Sequence, residues 1–313
     1  LYDRFGLRLL IPLAILGCAL GALFFGNTQT VFLASIGRFL MGLGSAFAFT
    51  GVLVVAALWF KPHRFALLVG IAQLFAAFGA MGGAFPLAIF VSAYGWRWVI
   101  KILGILGIGL AVISWIFIRD HPAKLPARQF MKRTKSIGES TKIIFANRQN
   151  WWVAAYAFTS WAPVTIFAAL WGVPFMTVRF DISNAIAASA VSVSWVGLAI
   201  FSPLIGWLSD HYERRVVLMI FAALLGIVCS ICLIYIPGLP FWASYIFLFF
   251  MGAASSGQIL TFALIKENNP QGVLAGAIGF NNMAVVLGGA IFQPLVGFLL
   301  RWLWSGNLFD GTP

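Results

Sequence analysis

Nine stretches of the chain are almost continuously apolar: residues 9–25, 30–58, 65–94, 96–118, 151–178, 185–208, 216–236, 241–265 and 272–300. An α-helix needs about 20 mainly apolar residues to cross the hydrocarbon core. A transmembrane barrel strand would be roughly ten residues long and would alternate polar with apolar positions. These stretches are longer and do not alternate. The pattern therefore predicts an all-α polytopic membrane protein with nine spanning helices, the longer ones tilted or emerging from lipid.

Composition agrees. Hydrophobic residues make up 62% of the 313 residues and charged residues 9%, against about 25% charged in a typical soluble domain. Too few charges remain to cover a water-facing surface. The net charge of +12 would raise nucleic acid as a partner in a soluble chain. Here the basic residues sit in short loops between apolar stretches, which makes them a topology signal and points to lipid as the partner. Counted by alternate loops, fifteen Lys and Arg fall on one side and three on the other, with Arg38 and Lys101 inside stretches. The first side is expected to be cytoplasmic, in a multi-pass protein of the cytoplasmic membrane. Residues 119–150 form the one long polar segment, with eight Lys or Arg and two Pro. They read as a basic cytoplasmic linker, with a surface helix near 132–145, between an N-terminal bundle (1–118) and a C-terminal bundle (151–313).

The two halves repeat each other. Asp3, in the loop Tyr2-Asp3-Arg4-Phe5-Gly6-Leu7-Arg8, lies 207 residues before Asp210, in Gly206-Trp-Leu-Ser-Asp210-His-Tyr-Glu-Arg214-Arg215. Gly70, Gly82 and Gly83 precede Gly276, Gly288 and Gly289 by 206, Pro62 precedes Pro270 by 208, and Phe39, Met41, Gly42 and Ser45 precede Phe249, Met251, Gly252 and Ser255 by 210. The pattern Gly-x-Leu-x-Asp-x-x-x-Arg-Arg, repeated across six helices around a long central loop, resembles the signature loop of the major facilitator superfamily. Arg38-Phe-Leu-Met-Gly42-Leu-Gly44 is similar to the motif of its fourth helix, and Gly95-Trp-Arg-Trp98 to its loop between helices 5 and 6. The resemblance implies two pseudo-symmetric helix bundles and makes the nine stretches helices 3 to 11 of twelve, with helices 1, 2 and 12 outside this chain. Gly79-Ala-Met-Gly82-Gly83 matches the antiporter motif only in part, with Ala80 where its proline would stand, so drug export is not the expectation. Ala169-Leu-Trp-Gly-Val-Pro-Phe175 resembles a stretch of some bacterial uptake permeases.

A transporter needs a polar site near mid-membrane and a packing that can switch. Arg38, about two turns into its helix, is a charge that should face a cavity or a partner. It serves either substrate anion binding and proton coupling, or backbone carbonyls of a neighbouring helix. Lys101 is close enough to the interface to snorkel. On the helices that line the family's cavity, Gln73, Tyr156, Trp161, Gln258, Asn281 and Asn282 are the candidate substrate or coupling residues, with interhelical glue as the alternative role. Asp3, Arg4 and Arg8, with Asp210, Arg214 and Arg64, form a candidate latch. A carboxylate beside the positive N-terminal end of the helix opening at Pro62 or Pro270 would hold the halves together.

Other classes fit less well. The histidines, His63, His121 and His211, are all in loops, and no G-x-x-x-x-G-K-[ST] phosphate loop exists. Neither an enzyme, nor a metal site, nor a cofactor is expected. Cys229-Ser-Ile-Cys232 has C-x-x-C spacing but lies in an apolar helix without a second ligand pair. The reading is a monomeric secondary transporter of a small solute, coupled to a proton or other ion, with organic anions or zwitterions favoured by Arg38. The alternative is a non-transporting sensor on the same fold.

Overall fold

The structure is a computed structural model describing residues 2–84, 86–120 and 136–303; the side chains of Asp3, Arg4, Ala84, Pro86, Ala88 and Ile89 also lie outside the description. The helices are α1 (Tyr2–Phe5), α2 (Leu7–Asn27), α3 (Val31–Trp59), α4 (Phe65–Ala84), α5 (Pro86–Tyr94), α6 (Trp96–Phe117), α7 (Ile137–Ala146) and α8 (Arg148–Ser160). A π-helical segment, Pro163–Trp171, leads into α9 (Gly172–Phe180). Then come α10 (Asn184–Tyr212), α11 (Arg215–Tyr235), α12 (Phe241–Ser255), α13 (Ile259–Asn268) and α14 (Leu274–Leu303). Among the described residues nine segments are long and apolar enough to span a bilayer. The surface helix expected near 132–145 is α7, which starts where Ser136 accepts a hydrogen bond from the Glu139 amide.

Lipid explains the outer faces. On α11, Val217, Ile220, Phe221, Leu224, Val228 and Ile231 are each more than half exposed. Their spacing of three and four residues makes one apolar stripe, and the opposite stripe of Met219, Ala222, Cys229 and Leu233 is buried. Water would not tolerate such a face; hydrocarbon does.

Two sets of helices pack around different centres. In the first, α2 packs against both α3 and α6. In the second, the span Phe241–Asn268 is the core: 83% of its apolar window is buried, against 44% or less for the others. It is broken at Ser256–Gln258, where a 3₁₀ turn separates α12 from α13. Serines returning hydrogen bonds to the preceding turn bend helices, and Ser255 and Ser256 donate to the carbonyls of Met251 and Ala253. A reciprocal amide pair, Asn150 with Asn269 at 3.0 and 2.7 Å, ties the start of α8 to the end of α13.

The most extensive contact between the sets runs along α4 and α10. It depends on two glycines. A methyl group at Gly70 would meet the carbonyl oxygen of Ser202, and one at Gly206 that of Ala66. The crossing continues to Ala77, which is fully buried with Leu198 and Ala199. Beyond it, Gly79, Gly82 and Gly83 have no atom within 4 Å of where a side chain would begin. The halves thus meet along α4 and α10 from the ends nearest α7, the linker face, as far as Ala77.

The repeat shows in packing as well. Gly44 of α3 lies against the Ala14 carbonyl and Cys18 of α2, and Ala254 of α12, 210 residues later, meets Gly226 of α11, the helix that follows the second copy of the motif. Gly252 of α12 lies against the backbone of Ser194 on α10, and Gly42 has open space beside it.

Candidate functional site

At the linker face, α10 delivers Asp210 to the first turn of α4. Proline suits such a start because it has no amide hydrogen to leave unpaired, and Pro62 opens the short turn before α4. Asp210 Oδ2 accepts a hydrogen bond from the Leu67 amide at 2.9 Å. The other oxygen, Oδ1, lies 3.3 Å from Arg215 Nη1. Arg215 also donates to Glu267 from Nη2 at 2.6 Å and Nε at 2.7 Å, and to the buried Ser209 hydroxyl at 2.9 Å. Thus α4, α10, α11 and α13 are joined through one carboxylate and one guanidinium. The Lys266 ammonium completes the group, 4.1 Å from the centroid of the Phe65 ring. Arg64 lines a cavity of about 340 Å³ with His63, Leu67, Trp207, Asp210 and His211.

Arg215, not Arg214, engages Asp210; Arg214 is exposed and precedes the first turn of α11. The signal for this was in the repeat, since Arg8 and Arg215 are 207 residues apart, like Asp3 and Asp210. Arg8 itself starts α2: its amide donates to Asp120 at 2.9 Å and its guanidinium lies 5.8 Å from the Trp115 ring. The side chains of Asp3 and Arg4 lie outside the described residues, so their half of the latch has no geometry here.

The mid-membrane candidates do not converge on one point. Arg38 is exposed on α3, with its guanidinium 5.8 Å from the Phe25 ring. Gln73 is buried on α4 beside Leu74, which packs with Trp161 and Trp195 around Ala77 and Leu198. Trp161 ends α8 where the π segment begins. The π-helical stretch that follows is held from α14: Gln293 Nε2 donates to the Thr165 carbonyl at 2.6 Å, and Trp171 Nε1 donates to the Gln293 carbonyl at 3.1 Å. π segments disturb the regular hydrogen-bond ladder and mark places where a helix can bend.

Asn281 is joined to Thr261 across α14 and α13. It donates to the Thr261 hydroxyl at 2.7 Å, and that hydroxyl donates to the main-chain carbonyl of Gln258 at 2.6 Å, while the buried Gln258 side chain makes no bond to either. Tyr156 is nearby: its hydroxyl touches the Gly257 position and donates to the Met219 carbonyl at 2.8 Å. Asn282, the next residue on α14, is partly buried. Cys229 and Cys232 are free thiols within α11.

Nine spanning helices among the described residues, a repeat across six helices and the helix-start contact of Asp210 define a class of membrane carrier folds. The chain belongs to the Major Facilitator Superfamily, whose profile matches residues 1–173 and 157–309. It is 24% identical over 241 residues to an uncharacterized transporter, YybO, of Bacillus subtilis, covering 69% of this chain and 52% of that protein. It is 27% identical over 252 residues to the membrane sensor protein UhpC of Salmonella typhimurium, covering 72% and 56%. A multidrug resistance protein B homolog of Mycobacterium tuberculosis is 29% identical over 122 residues, 39% of this chain and 23% of that protein. The chain therefore spans about half the length, or less, of these relatives. Among solved structures, the E. coli fucose:proton symporter FucP superposes with a TM-score of 0.73 at 17% identity, over 96% of this chain and 79% of that one. A bacterial homolog of the lysosomal transporter Spinster gives 0.59 at 18% identity, over 96% and 71%. These likenesses share the fold. The family consists of transporters rather than enzymes.

Proposed function

We propose that this chain is the larger part of a secondary transporter that carries a small solute across the cytoplasmic membrane by alternating access. The observation that supports this best is the seam itself. Two halves are held at one face by Asp210 on the Leu67 amide, and α4 and α10 cross in close contact at Gly70 and Gly206. Contacts of a carboxylate with a helix N-terminus contribute about 0.3–2 kcal/mol, a size suited to a latch that must open. With the basic linker face cytoplasmic, this arrangement is closed to the cytoplasm, and opening the latch gives the inward-open state. The halves, 1–118 and 151–313, act as the rocking units and 119–150 as their tether. Arg38 favours an organic anion or zwitterion, and uptake would be driven by a proton or another ion. The protein works as a monomer in this reading.

The test is flux. Full-length protein in proteoliposomes should accumulate a labelled solute from a screen of organic anions and zwitterions when an ion gradient is imposed, and lose that accumulation when an ionophore collapses the gradient. A second reading, a sensor that binds solute without moving it, is favoured by the likeness to the membrane sensor protein UhpC. Saturable binding with no flux under any gradient would select it.

A further inference from the structure

We propose that the cavity at the linker face binds the phosphate of an anionic phospholipid from the adjoining leaflet. Its volume is about 340 Å³, and both halves line it: His63, Arg64 and Leu67 at the start of α4, and Trp207, Asp210 and His211 on α10. The charges do not cancel there. Asp210 is its one carboxylate, and the Leu67 amide and Arg215, which stands outside the lining, already hold the two oxygens. No described carboxylate pairs with Arg64. One guanidinium and two imidazoles are therefore left on the walls. A guanidinium presents a planar fork of donors that matches phosphate oxygens, and an imidazole adds a single N–H. His211 stacks on Trp207, with ring centroids 5.4 Å apart and planes 9° apart, which fixes the plane of its ring.

The surroundings select a lipid over a free phosphate. Exposed residues run up α10 from the cavity at His211, Trp207, Leu204 and Ile200, and this spacing of three and four makes one stripe on a helix. Trp207 is 49% exposed, Leu204 41% and Ile200 51%. An acyl chain can lie along this stripe while its headgroup sits in the cavity. The depth fits as well. His63 and Arg64 precede α4, and His211 lies in the last turn of α10, so the basic groups stand where the apolar spans end and headgroups begin. A tryptophan suits this level of the membrane. A lipid with an ammonium headgroup would set a second cation beside Arg64, so the site prefers anionic ones. Since the walls belong to both halves, a bound headgroup bridges them only while this face is closed. That consequence rests on the transport reading; the binding does not.

Delipidated full-length protein in detergent, titrated with dioleoylphosphatidylglycerol and read by native mass spectrometry, tests the site. One saturable lipid per chain is expected, displaced neither by dioleoylphosphatidylcholine nor by inorganic phosphate at equal concentration. Arg64→Gln should weaken binding roughly fivefold, the worth of one basic side chain toward an anionic leaflet. His63→Ala and His211→Ala should each weaken it by roughly threefold or more. Arg148→Gln removes an exposed charge on the same face but outside the cavity and should change nothing. All four side chains are exposed, so these variants should fold. No saturable binding, displacement by phosphatidylcholine, an equal loss in Arg148→Gln, or unchanged affinity in Arg64→Gln or in both histidine variants overturns the site. Displacement by inorganic phosphate overturns the lipid and leaves a soluble phosphate as the ligand. Saturable binding with the expected losses but no solute flux counts against the transport reading alone.

Discussion

Asp210 and Leu67 are 143 residues apart in sequence, and the carboxylate of one accepts the main-chain amide of the other at 2.9 Å. The bond joins α10 to the first turns of α4 and, through Arg215, reaches Glu267 on α13. It can exist only while the linker-face ends of the halves touch. Asp210→Asn should therefore shift the population toward the state open at that face, by up to about 2 kcal/mol or roughly thirtyfold. Labelling of a cysteine placed in the cavity should rise from the linker side while intrinsic solute affinity changes little. Unchanged labelling with impaired transport would assign Asp210 to folding.

The α4–α10 crossing gives the same shift by a steric route. Gly70→Val places a branched side chain against the Ser202 carbonyl and Pro203. Overpacking of this kind costs about 1–3 kcal/mol, and here it acts only on the closed seam. The variant should insert normally and label readily from the linker side. Gly79→Val, at a position with open space beside it, is the control and should behave as wild type.

Arg38→Ala is expected to abolish uptake with membrane insertion intact, because the guanidinium is exposed on α3 rather than committed to a buried pair. Arg38→Lys keeps the charge but not the planar fork and should retain part of the activity. Normal uptake by Arg38→Ala would remove it from the substrate site.

Gln293 supports the π segment rather than the seam. Gln293→Ala removes the donor to the Thr165 carbonyl and should lower stability by about 0.5–2 kcal/mol, the range of interhelical hydrogen bonds in membranes. Thermal unfolding in detergent reads this directly. An unchanged midpoint would mean that the carbonyl finds another donor.

Much of this was legible in the sequence because lipid imposes a simple code. The nine apolar stretches coincide with the nine spanning segments, since a helix must bury every backbone polar group internally. The Pro62 helix start and the 207-residue offset pointed to a contact at Asp210, because a helix N-terminus attracts a carboxylate wherever the chain brings one. The choice of Arg215 over Arg214 depends on which residue enters the first turn of α11. The partnership of Gln293 with Thr165 depends on a π segment that hydrophobic pattern does not encode. Asn281 was readable as polar, but only the fold brings it to the Thr261 hydroxyl.

The central claim is that the seam opens and closes. Spin labels at His63 and His211, which line one cavity across the linker-face seam, and a second pair at Gly82 and Ile186 toward the far face, measure this in full-length protein by pulsed electron resonance. The account predicts two distance populations for each pair, shifting in opposite directions when solute and ions are added. In Asp210→Asn the His63–His211 pair should lengthen and the Gly82–Ile186 pair shorten. A single distance for both pairs, unmoved by solute, ions or the Asp210 substitution, would contradict it.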